Sequence, residues 1–74
     1  MSLLTIYPNP VKDVLNIQTD EVITEIFVLD LNGKVVMHVR GHQTSLDLQS
    51  LVAGQYIIRI HTETAVVPVK VVKK

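Results

Sequence analysis

The sequence predicts an all-β fold: an antiparallel β-sandwich of about seven short strands. Three observations predict it. Twenty-six of the 74 residues are β-branched (13 Val, 7 Ile and 6 Thr), against two alanines. Branched side chains are stiff at χ1 and pack well on a pleated surface, whereas helices favour Ala, Leu, Glu and Lys. Apolar residues alternate with polar ones in short runs, and turn residues separate the runs at close spacing, the pattern of two sheets packed face to face. No ten-residue segment carries apolar residues at helical period. A flattened barrel satisfies the same observations.

Residues 3–7 read as the first strand. Tyr7-Pro8-Asn9-Pro10 stops it, because two prolines remove two ladder donors and restrict the residues before them. Residues 14–18 form the second strand, with Leu15 and Ile17 on one face. Residues 24–31 and 34–39 form the third and fourth. Asn32-Gly33 between them is a hairpin signal for a type I′ turn, which needs positive φ at both positions. Parity puts Val35, Met37 and Val39 on one face of the fourth strand and Lys34, Val36, His38 and Arg40 on the other. Residues 44–48 give a short fifth strand, and residues 49–54 have the spacing of one helical turn. Residues 55–61 are the clearest strand, with Tyr56, Ile58 and Ile60 inward. Residues 66–72 close the chain, with Val67, Val69 and Val71 opposed to Pro68, Lys70 and Val72. Pro68 cannot donate to a ladder, which puts this strand at a sheet edge.

Composition narrows the function classes. A chain of 74 residues holds one domain and has little room for a deep cleft. Seven basic residues balance seven acidic ones, which argues against a nucleic-acid binder that neutralises phosphates. No apolar run approaches the ~18 residues of a membrane helix, so no membrane insertion is expected. The absence of cysteine excludes disulfides and thiolate-bound zinc. Met1-Ser2-Leu3 has no basic n-region and hence no signal-peptide character. The expectation is that residues 1–3 are an expression scar and that residues 4–74 are the domain.

The chemistry on offer is sparse. His38 and His61 fall on outward strand positions and His42 in a loop, all expected to be solvated, and neither His-x-His nor His-Glu-x-x-His occurs. Asp13 and Asp30 sit beside turns, where acids bond nearby backbone. Together with Asp47 they are the acids that a glycosidase would need to converge, and nothing in their spacing shows that they do. The glycines at 33, 41 and 54 are isolated, so there is no phosphate loop and no nucleophile elbow. Three aromatics, Tyr7, Phe27 and Tyr56, are too few for a stacking platform, and Tyr56 reads as a core residue whose hydroxyl finds a polar partner. No catalytic residue, metal site or cofactor is expected, and the chain is not read as an enzyme.

Four pieces in order carry a more specific signal: Tyr7-Pro8-Asn9-Pro10-Val11-Lys12-Asp13-Val14-Leu15-Asn16-Ile17, then Asp30-Leu31-Asn32-Gly33-Lys34, then Gly54-Gln55-Tyr56-Ile57, and a basic end from Lys70 to Lys73-Lys74. Over nearly its whole length the chain resembles the C-terminal sorting domain of the type IX secretion system, the Por secretion tail. The resemblance implies an Ig-like β-sandwich at the end of a protein secreted by Bacteroidetes-type bacteria. It implies an attached cargo domain upstream, passage through the periplasm, export by the type IX translocon, and delivery to the outer-membrane surface or the medium. A sortase-like peptidase would then remove the tail, at a site upstream of this chain, and anchor the cargo.

Within the matched motifs, Gly54, Tyr56, Lys70, Lys73 and Lys74 are the sorting-signal candidates. Tyr7, Pro8, Asn9, Pro10, Asp30, Asn32 and Gly33 are the structural motif. Lys73 and Lys74 lie beyond the apolar alternation of the last strand and are expected to be exposed and to add little to stability. Two features depart from the family pattern: the turn Thr62-Glu63-Thr64-Ala65 has no glycine, and Pro68 interrupts the last strand. The alternative class is an Ig-like carbohydrate- or protein-binding accessory module of a secreted enzyme, which need not end its protein as a sorting tail must. A small hydrolase has no supporting motif.

Overall fold

The computed structural model describes residues 4–74; the expectation for residues 1–3 lies outside them. Seven strands follow in order: β1 Leu4–Tyr7, β2 Val14–Thr19, β3 Ile23–Leu29, β4 Val35–Arg40, β5 Ser45–Asp47, β6 Gly54–Thr62 and β7 Val66–Lys73. They form two antiparallel sheets, one of three strands in the order β1-β2-β5 and one of four in the order β4-β3-β6-β7. The sandwich rather than the flattened barrel is realised.

Alternation explains what lies between the sheets. Leu15 and Ile17 of β2 and Leu46 of β5 face Ile26 and Val28 of β3, Tyr56, Ile58 and Ile60 of β6, and Val71 of β7, all buried in one cluster. Val11 and Leu48, outside any strand, are fully buried in the same cluster. Among the described residues there is no helix: residues 49–54 hold a turn, closed by Leu51 N–H on the Leu48 carbonyl at 3.0 Å. One such turn cannot repay helix nucleation.

The hairpin between β3 and β4 differs from the expected type I′ turn. Only Gly33 has positive φ there (83°), and Asn32 does not. Asp30 N–H bonds the Lys34 carbonyl and Gly33 N–H bonds the Asp30 carbonyl, which makes a three-residue loop with its left-handed residue last. Asp30 Oδ1 accepts from the Asn32 and Lys34 amides, so a carboxylate organises the turn. The register also shifts: Val28 opposes Met37 but Leu29 opposes Val35. Val36 is the extra residue of this bulge, and Val35 leaves the inward row of Met37 and Val39 to become exposed.

The glycine-free turn at residues 62–65 closes by other means. The Thr62 hydroxyl accepts from the amides of Thr64 and Ala65 while Thr62 N–H bonds the Ala65 carbonyl. A side-chain oxygen thus does what a positive-φ glycine would otherwise allow. β6 and β7 pair without interruption from Gly54↔Lys73 to His61↔Val66, and Pro68 lies on the edge strand, as its missing donor requires.

Candidate functional site

The sequence motifs come from distant parts of the chain, and the topology gathers them at one end of the sandwich. β3 runs down to Leu29 opposite Ile57, which sits three residues into β6, so the 30–34 hairpin lies beside Gly54. Gly54 opposes Lys73 and Tyr56 opposes Val71. Residues 8–13 cross to the same end, because Val11 forms a parallel bridge with Lys73. The opposite end holds the turns at residues 20–22, 41–44 and 62–65, and the chain enters there through Leu4, which opposes Thr19.

The Tyr-Pro-Asn-Pro segment does more than stop β1. Its two prolyl peptide bonds are cis. Asn9 Nδ2 donates to the Lys70 carbonyl at 3.1 Å, and Val72 N–H donates to Asn9 Oδ1 at 3.0 Å. Val11 N–H then donates to the Val72 carbonyl and Lys74 N–H to the Val11 carbonyl, both at 2.8 Å. Four backbone groups along the outer edge of β7 and the residue after it are satisfied in sequence, the first two by a side-chain amide offering one donor and one acceptor as a peptide unit does. This clasp covers the C-terminal half of an edge that would otherwise be open to another strand. Nothing in the local sequence reveals it, since Asn between two prolines reads as a turn residue.

Lys73 corrects the expectation for the chain end. It belongs to β7, continues the inward row of Val67, Val69 and Val71, and is 7% exposed. Its aliphatic stem is taken out of water while Nζ reaches the Lys74 carbonyl at 2.9 Å. Lys70 and Lys74 are exposed. Gly54, with φ of 155°, starts β6. Tyr56 is 5% exposed and its hydroxyl donates to the Val52 carbonyl at 2.7 Å, which ties β6 to the connection before it. Pro8, Asn9 and Pro10 are exposed, as are Tyr7, Asn32 and Gly33.

Charge divides along the same axis. The motif end carries Lys12, Lys34, Lys70, Lys73 and Lys74 against Asp13, Asp30 and Asp47. The other end carries Asp20, Glu21, Glu25 and Glu63 against Arg40 and Arg59. A chain with zero formal net charge is therefore a dipole, basic at one end and acidic at the other. The exposed large hydrophobics follow suit: Tyr7, Val14, Leu31, Val35, Val36, Val52 and Val72 lie at the basic end, and Val22 and Val66 at the acidic end.

Several of the remaining polar residues have structural partners. Asp47 accepts from the Gln49 amide, and the Asp13 carbonyl accepts from Leu48 N–H. His42 Nδ1 accepts from Ile23 N–H at 3.0 Å. His38 bonds Glu25 and stacks on Phe27 with ring centroids 4.2 Å apart. His61, contrary to the solvated position its parity predicts, is half-buried, packs its ring against Phe27, and keeps Nε2 out of water without a partner. The outward parity of its position is right, but Phe27 leans over it. A recess of about 250 Å³ lined by Thr5, Gln18, Thr19 and Asp20 opens at the acidic end, away from the motif residues. Among the described residues no group of three or more His, Cys, Asp or Glu side chains could hold a metal ion, and no helix is long and apolar enough to cross a membrane.

A family model described as the secretion system C-terminal sorting domain matches residues 5–74. The chain belongs to this family. It is a C-terminal sorting signal for type IX secretion, a pathway that takes an attached cargo across the outer membrane to the cell surface or the medium. The family is one of sorting signals, not of catalysts. A search of curated proteins finds no match. In this sorting domain the candidate residues read from the sequence are the ones that the topology brings to the basic end.

Proposed function

We propose that the basic end of residues 4–74 is the surface by which the type IX translocon takes up the cargo from the periplasm, and that a sortase-like peptidase then removes the tail upstream and anchors the cargo. The observation that carries this reading is the convergence of Gly54, Tyr56, Lys70, Lys73 and Lys74 with Asn9 and Val11 at one end of the fold. Residues so far apart in sequence gather there with exposed apolar side chains and a surplus of cations, a combination that suits a partner with an apolar, acid-rimmed surface. Lys12, Lys34, Lys70 and Lys74 are the exposed cations such a partner can reach. Gly54, Tyr56 and Lys73 hold the last two in place from within. The tail itself performs no chemistry and is the substrate of the peptidase.

The test fuses the 74-residue chain to the C-terminus of a fluorescent protein bearing a periplasmic signal, in a strain with a working type IX system. Fluorescence at the surface or in the medium is expected, with retention in the periplasm when the translocon is deleted. Delivery that is the same in both strains, or absent in both, would remove the reading.

A further inference from the structure

Asn9 has bonds that a turn residue does not need. An Asn that organises a turn bonds its own neighbours. Here the amide reaches 61 residues along the chain to Lys70 and 63 to Val72, using its donor and its acceptor on one strand edge. The site is exposed, so burial does not force these bonds. Prolines on both sides fix φ and leave little backbone freedom to lose when the side chain is aimed.

We propose that Asn9 is a positioning residue of the export signal: by bridging the Lys70 carbonyl and the Val72 amide it holds residues 70–74 as a docked strand with Lys70 and Lys74 at fixed spacing. The inference rests on the reading of the basic end given above. Without the amide, the Lys70 carbonyl and Val72 N–H turn to water or to a foreign strand, and the Val11 bridge loses the contact that precedes it. The last residues of β7 then fray. A partner that recognises a fixed pattern binds a frayed strand more weakly, by the fraction of time the strand is docked.

The experiment compares three tails on the fluorescent cargo: wild type, Asn9→Ala and Ile60→Val. Ile60 is fully buried in β6 towards the acidic end, so its variant loses stability without touching the clasp. In the purified proteins, Asn9→Ala is expected to keep its β-sheet circular dichroism, to melt no lower than Ile60→Val, and to exchange the Val72 and Lys74 amides at least tenfold faster than wild type. In cells, export of Asn9→Ala should fall several-fold while Ile60→Val is exported like wild type. Unchanged exchange at Val72, or equal export of the two variants, overturns the proposal. If Asn9→Ala does not fold, Asn9→Asp, which keeps the acceptor for Val72 N–H and loses the donor to the Lys70 carbonyl, is judged by export alone, and export equal to that of Ile60→Val overturns the proposal. A wild-type tail whose export ignores the translocon defeats the reading of the basic end, whereas a wild-type tail that is exported and matched by Asn9→Ala defeats only the role of Asn9.

Discussion

The two ends of the sandwich share one core and differ in how their connections are closed. At the acidic end, side chains near the turns do the work: the Thr62 hydroxyl holds residues 62–65, His42 accepts from Ile23, and Thr64 bonds Glu21. At the basic end, the beginning of the chain is joined to its last strand through Asn9 and Val11. The first arrangement stabilises a fold. The second also builds a surface, because it lays residues 9–11 along the exposed edge of the last strand. Composition is blind to this difference. A formal charge of zero hides a separation of charge that only the topology creates.

Substitutions made in pairs, one at each end, break or sharpen the comparison. The largest effects belong to the shared core. Leu48→Ala at the basic end and Ile23→Ala at the acidic end each remove a side chain with almost no exposure, and each should cost ~2–5 kcal/mol in urea denaturation. A much smaller loss at one end would mean that the core does not run through both.

Deleting Lys73 and Lys74 comes next. The deletion removes the pairing with Gly54, the bond from Lys74 N–H to Val11 and the buried stem of Lys73, so a loss of roughly 1–3 kcal/mol is expected by thermal or denaturant unfolding. A melting temperature that does not change would restore the picture of two loose terminal lysines. Gly33→Val and Gly41→Val form a third pair. Both glycines have positive φ, 83° and 87°, and a valine there should cost about 1–2 kcal/mol in each case. Matched losses of stability with a greater loss of export for Gly33→Val would sharpen the contrast between ends; equal export would weaken it. The smallest effects on folding belong to Lys70→Ala and Arg59→Ala, both exposed and both expected to shift stability by no more than ~0.5 kcal/mol. Export should fall for Lys70→Ala alone, and a drop for Arg59→Ala of the same size would spread recognition beyond the basic end.

Much of the fold is legible in the sequence because alternation is a local signal. The succession of seven short strands, the inward rows of β2 and β6 and the edge position of Pro68 all follow from alternation and from a missing donor. Features that depend on partners distant in sequence are not legible in this way. The bulge that turns Val35 outward arises where β3 and β4 fall out of step by one residue, and neither strand shows this alone. Lys73 escapes because a count of apolar residues ends the last strand at Val72, although four methylenes can fill an inward position as a branched side chain does. Among the site candidates, the buried role of Tyr56 could be read from its position in a strongly alternating run. The reach of Asn9 could not be read, since its partners lie more than sixty residues away.

The bridge between Val11 and Lys73 also bears on the order in which the domain comes into being. Contacts of such sequence separation close almost the whole chain into a loop, and non-local contacts of this kind slow folding. Residues 70–74 are synthesised long after residues 9–11, so the clasp cannot close until they have emerged. A chain broken off before Lys70 still possesses the Tyr-Pro-Asn-Pro segment, yet has no strand for it to hold. The patch that gathers Asn9, Gly54 and residues 70–74 therefore exists only once those residues have folded back onto the segment after β1.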